Sequence, residues 1–369
     1  MARELTYIGL FRSCLLWAGC SSSFQTDAIT VKVDLDVEGC DSVEHLLSVS
    51  SLVPLQADGM VSSVDKVCMT DSLIYVLDQK QMALFTFNKK GRLRHTIKKI
   101  GRASGEYLSL DDFAVDERGN IYLFDGSTQR INCYDINGHY SHKIEVCAGT
   151  GFIFCGKDSL VVYNNILGEC NLAIFNKAGH KLKEIPYPKE ISHMLISNSG
   201  GVFASGGRLF FTNPFDYVLY TVDKDKAQPV YNFDFGTQNL TEDILNEKDR
   251  KQLFRKTIAF EGVIFLKNVA MYKNFLFFAT DENVQCVMDT NTLNVFVFNR
   301  MEMPYAVLLS KPVTVCPDGM FLTSVTAANM ESLLSMPENY LEKYPFFRTL
   351  RDVPRLDPED YWIVIGKIK

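Results

Sequence analysis

The sequence lacks the common motifs of enzyme and metal chemistry. None of its ten cysteines forms a Cys-x-x-Cys pair or stands at a Cys/His ligand spacing. It contains no His-Glu-x-x-His motif, no P-loop, no dinucleotide-binding glycine motif after a strand and no Ser/His/Asp order of a hydrolase triad. The motifs therefore nominate no enzyme class, and the cysteines are interpreted as free thiols that pack as small apolar side chains within strands.

The chain also lacks an excess of positive charge. Its formal net charge is -6 and its isoelectric point is near 5.6. A partner with a phosphate backbone would therefore have to be held by a local basic patch. Nucleic acid is not predicted as a partner.

Long apolar runs are absent after the first twenty residues, so the body of the chain has no candidate for a membrane-spanning helix. The first twenty residues resemble a bacterial lipoprotein signal, because Ala18 and Gly19 precede Cys20, the cysteine that would carry the lipid. Arg12 and Trp17 depart from the usual pattern, and an ordinary N-terminal segment is the alternative. The prediction is an exported protein, periplasmic or attached to the outer membrane, whose membrane contact is through this anchor only.

A repeated pair of apolar runs dominates the rest of the sequence. The units are 73–91, 120–138, 160–179, 209–223 and 275–289, and the first two are 47 residues apart. In each unit the second run ends in an apolar residue followed by Asn or Asp, and in the first three a Gly follows three residues later. An Asx residue with a nearby glycine is turn chemistry, because the side chain binds local backbone and glycine accepts positive φ.

These units predict an all-β fold. Short aromatic and β-branched runs separated by turns, at a period of 40 to 50 residues, are typical of a propeller blade and lack the periodicity of a helical repeat. We expect a six-bladed β-propeller of four-stranded antiparallel blades, with one terminus completing a blade begun at the other. The predicted divisions are a signal peptide over 1–20, a tether and lead-in over 21–48 and the propeller over 49–369. Two short helical insertions are expected at 239–257, with Thr241 as an N-cap, and at 327–350.

The stretch 100–116 carries the most specific local motif, Gly105-Glu106-Tyr107. With the strand around Val53-Pro54-Leu55 and the closing segment 357–365, it resembles the six-bladed, NHL-like β-propeller proteins of Bacteroidetes. The likeness covers about residues 50–369 and implies the fold, and it agrees with export as a lipoprotein. It implies no activity.

Four residues in this stretch are the candidate ligand-binding residues, Glu106, Tyr107, Asp111 and Asp112. Glu106 would act as an acceptor or cation ligand on a blade-connecting loop, or alternatively brace neighbouring blades while Tyr107 packs. Asp111 and Asp112, with Asp116, would suit a hard cation such as calcium. The spacing of an EF-hand is missing, and turn capping is the alternative, so no resident cofactor or metal is predicted.

The fold leads to two classes of function, and both are analogies. The first is a non-enzymatic module that displays a loop-lined face to a peptide, glycan or protein ligand. A separate option is a structural subunit whose helical insertions dock a partner. The second is a hydrolase or lyase with a metal or carboxylate site at the central channel. The sequence identifies no catalytic residue for the second.

Overall fold

The fold is described from a computed structural model. The described residues are 28–36, 46–57, 60–146, 153–156, 158–163, 171–188, 201–281, 284–298, 304–311, 313–316, 318–337, 339, 342, 344, 357 and 359–369.

Six separate β-sheets follow one another along the chain, and each is one blade. The strands of the first three blades pair antiparallel in sequence order. Blade 1 contains β3 (Lys66–Met69), β4 (Leu73–Asp78), β5 (Ala83–Asn88) and β6 (Leu93–Ile97). Blade 2 contains β7 (Asp112–Val115), β8 (Ile121–Asp125), β9 (Arg130–Tyr134) and β10 (Tyr140–Glu145). Blade 3 contains β11 (Ile153–Cys155), β12 (Ser159–Tyr163), β13 (Leu172–Asn176) and β14 (Lys181–Ile185).

The last three blades include both N-terminal strands. Blade 4 contains β15 (Gly201–Ser205), β16 (Arg208–Thr212), β17 (Val218–Asp223) and β18 (Lys226–Asp234), with β1 (Ile29–Lys32) outside β18. Blade 5 contains β19 (Leu266–Tyr272), β20 (Phe275–Thr280), β21 (Gln285–Asp289) and β22 (Val295–Val297). Blade 6 contains β23 (Thr314–Val315), β24 (Met320–Thr326), β25 (Tyr361–Ile368) and β2 (Leu47–Pro54).

The blades form a closed ring. The first strand of every blade contacts the first strands of both neighbouring blades, so these six strands surround the central axis. Blade 6 closes the ring, because β2 pairs antiparallel with β25 from Leu47 opposite Ile368 to Pro54 opposite Trp362. The sequence-based expectation of a six-bladed propeller closed by its two termini is confirmed.

The hydrophobic core is divided among the blade interfaces. Each of the six interfaces holds its own cluster of buried side chains within the described part of the chain. Successive residues of one strand serve different clusters: Ile74 and Val76 of β4 face blade 6, whereas Tyr75 and Leu77 face blade 2. This alternation is the two-residue period of a strand, and it is why the runs are apolar at nearly every position.

The repeated Asx–Gly sequences form the turns between the third and fourth strands. Asn88, Asp135 and Asn176 each accept backbone N–H groups from two and four residues later on the side-chain Oδ1. The glycine three residues on has positive φ, as at Gly138 with φ 78°, and donates its N–H to the backbone carbonyl of the Asx residue. The predicted turn chemistry is confirmed in these three blades.

Strand β1 lies within 21–48, the range that the sequence assigns to a tether and lead-in. It pairs parallel to β18, with Ile29 opposite Tyr231 and Lys32 opposite Asp234. Val31 is buried in the cluster between blades 4 and 5. The run from Ile29 to Val33 alternates apolar and polar residues, as a strand with one buried face does, but it carries no repeat and its partner strand lies about two hundred residues away in the sequence.

In the described part of the chain, four short α-helices interrupt the strands: α1 (Glu242–Leu245), α2 (Arg250–Ile258), α3 (Tyr305–Leu308) and α4 (Ala327–Leu334). The first two occupy the insertion predicted at 239–257, and α4 begins the one predicted at 327–350. Thr241 stands at the N-cap of α1 but makes no side-chain capping bond, whereas Asp249 caps α2 by accepting from Lys251 N and Gln252 N.

Candidate functional site

The two ends of the ring carry different loops. In each antiparallel blade the turn between the second and third strands lies at the same end as the connection to the next blade, and we call this end the connection face. Glu106, Tyr107 and Asp111 belong to the connection from β6 to β7, which crosses from blade 1 to blade 2 on this face, and Asp112 is the first residue of β7. The structure therefore brings them to one blade junction.

Glu106 folds back onto its own loop. Its Oε2 accepts a hydrogen bond from Ala103 N at 2.7 Å and lies against Gly101, where a Cβ atom would collide with it. Its backbone carbonyl accepts from Arg130 Nη2 and from Asn132 Nδ2, both at 3.3 Å on β9. The carboxylate therefore holds the loop in shape, and the backbone ties that loop to blade 2.

Tyr107 is completely buried between blades 1 and 2. Its hydroxyl lies 2.8 Å from Met82 O and 3.1 Å from Ile97 O as a donor, and it accepts from Lys99 N at 3.2 Å. Burial raises the pKa of Tyr107 to about 12, and the bond from Lys99 N lowers it by less. The side chain is thus a neutral brace at neutral pH.

Asp111 joins its loop to the turn after β8. Its Oδ2 accepts from Gly126 N at 2.8 Å and from Ser109 Oγ. The backbone carbonyl of Asp111 accepts from Gln79 Nε2 of blade 1 at 2.6 Å. Asp111 therefore connects the junction to both blades.

Asp112 faces a different partner from Asp111. It is buried at the start of β7, and its Oδ1 lies 2.7 Å from Lys66 Nζ of β3, which also donates to Phe113 O at 2.8 Å. This ion pair joins the innermost strands of blades 1 and 2 beside the central axis. Asp116 follows the opposite end of β7, where Lys177 Nζ of blade 3 lies 3.1 Å from its Oδ2.

A fifth carboxylate, Asp125, organises the junction. It is fully buried at the end of β8 and accepts from Leu108 N, Ser109 N and Thr128 N at 3.0 to 3.2 Å. Burial alone would raise the pKa of Asp125, but hydrogen bonds from Thr128, Leu108 and Ser109 outweigh burial and lower it. Asp78 of blade 1 does the same work, accepting from Ser62 N at 2.7 Å and Ser63 N at 3.2 Å.

A Ser-x-Asp sequence recurs at the start of blades 1 and 2, and the geometry of the junction explains it. Ser63-x-Asp65 and Ser109-x-Asp111 are 46 residues apart, and the Asp of each accepts from the Ser hydroxyl and from the backbone N–H that follows the buried Asp78 or Asp125. Asp78 and Asp125 end the first apolar run of their repeat units. The serines were not recognised in the sequence, because they precede the runs on which the repeat units align.

The carboxylates of the junction are therefore each held by different groups. Within the described residues, no three His, Cys, Asp or Glu side chains are placed to hold one metal ion. Ligand binding by Glu106, Tyr107, Asp111 and Asp112 stays a prediction, whereas their contacts with the two blades are observed. Cys20, the predicted lipid attachment site, lies outside the described residues.

Thiol chemistry is weak at the cysteines that can be described. Cys68 and Cys316 are free thiols, and Cys316 lies beside the first strand of blade 6. Cys133 and Cys286 are buried in the hydrophobic clusters between blades. Burial raises the pKa of Cys316 to about 12, and burial also raises the pKa of Cys68. A thiol that stays protonated is a poor nucleophile, which fits a packing role for Cys68 and Cys316. For Cys133 and Cys286 the packing role rests on their burial in the clusters.

A second feature of the connection face is the insertion between blades 4 and 5, which contains α1 and α2. Its inner side chains Leu240, Ile244 and Leu253 form a separate buried cluster. On its outer side Phe254 is 59% exposed and Ile258 is 70% exposed, and Leu245 of α1 is also exposed. The sequence predicted the helices, but which apolar residues remain exposed depends on how the insertion packs.

The observed architecture defines a six-bladed β-propeller with braced blade junctions and an exposed helical insertion. The chain belongs to the family DUF4934, a domain of unknown function, whose model matches residues 30–364. None of the curated proteins matches this sequence.

Two solved structures from Bacteroides share this fold. A Bacteroides fragilis protein, assigned as exported, is 17% identical with a TM-score of 0.69, and the match covers 93% of this chain and 99% of that one. A member of the DUF4221 family from Bacteroides vulgatus is 12% identical with a TM-score of 0.53, covering 88% and 98%. At these identities the likeness concerns the fold, and it agrees with the resemblance to Bacteroidetes propellers.

Proposed function

We propose that this chain is an exported, lipid-anchored propeller that acts as a protein-interaction module and meets its partner through the α1–α2 insertion. Export is supported by the Bacteroides fragilis protein of the same fold and by the lipoprotein-like sequence ending at Cys20. No helix among the described residues is long and apolar enough to cross a membrane. The anchor would then be the covalent lipid on Cys20.

The observation that carries the proposal is the exposure of Phe254 and Ile258 on one side of α2. They are four residues apart, so they lie on the same face of the helix, and most of each side chain is in contact with solvent. Exposed apolar side chains that occur singly need no explanation, whereas a group of them on one surface marks an interaction site. Leu245 on the neighbouring helix enlarges this group.

The insertion is held firmly enough to present that surface. The buried cluster of Leu240, Ile244 and Leu253 packs the insertion together. Lys256 Nζ of α2 also pairs with Asp243 Oδ1 at 2.9 Å and Glu247 Oε2 at 2.7 Å. At the base of the insertion Val263 N donates to Gln238 O at 2.9 Å. A surface on a fixed scaffold loses less conformational entropy on binding than a mobile loop does.

Site-specific crosslinking tests the interaction. A photo-crosslinking residue in place of Phe254, in cells that produce the full chain, is expected to give a discrete protein adduct. The matched control is Leu182 of blade 3, which is 60% exposed but lies on a different blade. Ile258→Ser should remove the adduct at position 254 without changing the melting temperature. An absent adduct, or the same adduct from position 182, contradicts the proposal.

Fatty-acid labelling tests the anchor. Cells fed an alkyne fatty acid are expected to label the wild-type chain and the Cys14→Ser variant, but not the Cys20→Ser variant. Cys14 is the control because it lies in the same N-terminal segment. Equal labelling of Cys20→Ser and wild type would contradict the lipid anchor on Cys20. It would not affect the proposed interaction surface, which the crosslinking experiment tests.

A further inference from the structure

The exposed face of α2 is basic as well as apolar. Positions on an α-helix advance by about 100° per residue, so Lys251, Phe254, Arg255 and Ile258 fall within an arc of about 100°. All four side chains are exposed, whereas Leu253 and Thr257 on the opposite arc are buried. The face therefore consists of two parallel rows, the cations Lys251 and Arg255 beside the apolar pair Phe254 and Ile258.

The two cations are not used inside the insertion. Lys251 and Arg255 make no ion pair with any residue in the described ranges, in contrast to Lys256, which is turned towards Asp243 and Glu247. Arg255 lies in the last turn of α2, where the helix dipole favours a cation, but Lys251 lies in the first turn, where the dipole disfavours one, so helix stability does not explain the pair. A partner that presents carboxylates beside apolar side chains would contact both rows at once.

From this arrangement we infer that the partner presents an amphipathic helix whose apolar stripe is flanked by acidic side chains. This inference rests on the proposed function and specifies the partner at the same surface. Phe254 and Ile258 would pack against apolar residues at helical spacing, and Lys251 and Arg255 would pair with carboxylates along one flank, as in helix-to-helix recognition. The apolar contact supplies affinity, and the charge row fixes the orientation.

A second copy of this chain fits the face less well. In an antiparallel isologous contact the rows of Lys251 and Arg255 would meet at short distance, and in a parallel one they would lie on opposite flanks with no carboxylate of the same face to pair with. Like charges directly opposed are unfavourable in helix pairs.

An anionic lipid surface also fits less well. The whole chain has a formal net charge of -6, and the exposed carboxylates of Glu242, Asp249 and Glu261 border the same insertion. An anionic lipid surface would contact these carboxylates as well as the cations, and the carboxylates would repel it. A folded partner helix can place its acidic residues opposite Lys251 and Arg255 alone.

Three synthetic peptides test the inference by fluorescence anisotropy with the full chain. Each is a labelled helix with leucine at positions i, i+3, i+4 and i+7, and the flanking positions carry Glu, Gln or Lys. The Glu peptide is expected to bind most tightly, with dissociation constants rising about 2- to 30-fold for the Gln and Lys peptides, the effect of two exposed ion pairs. The double variant Lys251→Glu, Arg255→Glu should reverse the order.

The controls separate this inference from the function on which it rests. Lys224→Glu with Lys226→Glu changes two exposed cations at the opposite end of blade 4 and should leave the order unchanged. No peptide binding, equal binding of the three peptides, or binding to vesicles of phosphatidylcholine with 30% phosphatidylglycerol that depends on Lys251 would overturn the inference. If crosslinking at Phe254 succeeds while the charge reversal has no effect, the interaction module stands and the acidic helix does not.

Discussion

At the scale of single residues, the buried carboxylates of the connection face are structural acceptors. Asp125 accepts three backbone N–H groups and the hydroxyl of Thr128 without exposure to solvent. A charge in that position is stable because every lone pair finds a donor. The cost of losing it is therefore the cost of leaving several buried donors unpaired.

Asp125→Ala is expected to lower the free energy of unfolding by about 3 kcal/mol at neutral pH, because buried N–H groups lose their acceptor. The matched control Asp135→Ala removes an exposed turn cap of the same blade and should cost about 1 kcal/mol. Urea titration of both variants measures the difference. Equal losses would contradict the role of Asp125 as a junction acceptor.

The same variant gives a pH dependence. The folded pKa of Asp125 is lowered, so its contribution is present above the unfolded value of about 3.9 and is lost as pH falls through the folded pKa. The difference between wild type and Asp125→Ala should therefore be constant from about pH 8 to pH 5 and shrink below about pH 4. A difference that grows on acidification would reverse the assigned direction.

At the scale of elements, the sequence predicts what local turn chemistry determines. The turn between the third and fourth strands of blades 1 and 2 was predicted because Asn88 and Asp135 cap turns within four residues of themselves. Strand β1 could not be predicted in the same way, since its partner β18 is about two hundred residues away and the pairing depends on the assembled ring. Turn residues determine structure within a few residues along the chain, so they can be recognised in the sequence. Sheet edges and blade interfaces form only when distant segments fold together.

The candidate site shows the same limit. The motif Gly105-Glu106-Tyr107 needs glycine at its first position, because the loop is crowded there. Gly105 has φ 76°, and a Cβ atom at this position would lie 2.7 Å from the ring of Tyr140. The prediction located the junction correctly but could not distinguish bracing from binding, because both need Glu and Tyr on a connecting loop. The exposed face of α2 could not be predicted from the sequence, because an apolar residue such as Phe254 is expected to pack in the core.

At the scale of the whole molecule, stability depends on ring closure. Every blade buries both faces against its neighbours, so opening one interface exposes the side chains of two blades. Blade 6 is the point of closure, because three of its strands come from the C-terminal region and the fourth, β2, from the N-terminal region. A propeller closed in this way should unfold as one cooperative unit.

Trp362 provides a probe of that closure. It is buried in β25 opposite Pro54 of β2, and the only other tryptophan is Trp17. In a Trp17→Phe background, Trp362 fluorescence therefore reports blade 6, while far-ultraviolet circular dichroism reports all six blades. We expect the two urea transitions to coincide.

Leu47→Ala in β2 tests whether closure controls the whole ring. Leu47 is 1% exposed at an interface of blade 6, and truncation should cost about 2 to 4 kcal/mol, whereas Ile29→Ala on the 50% exposed end of β1 should cost less than about 1 kcal/mol. If the ring is cooperative, Leu47→Ala shifts the fluorescence and dichroism midpoints by the same amount. A fluorescence transition that moves ahead of the dichroism transition would show that blade 6 opens by itself, and the two termini would then close the ring without coupling its blades.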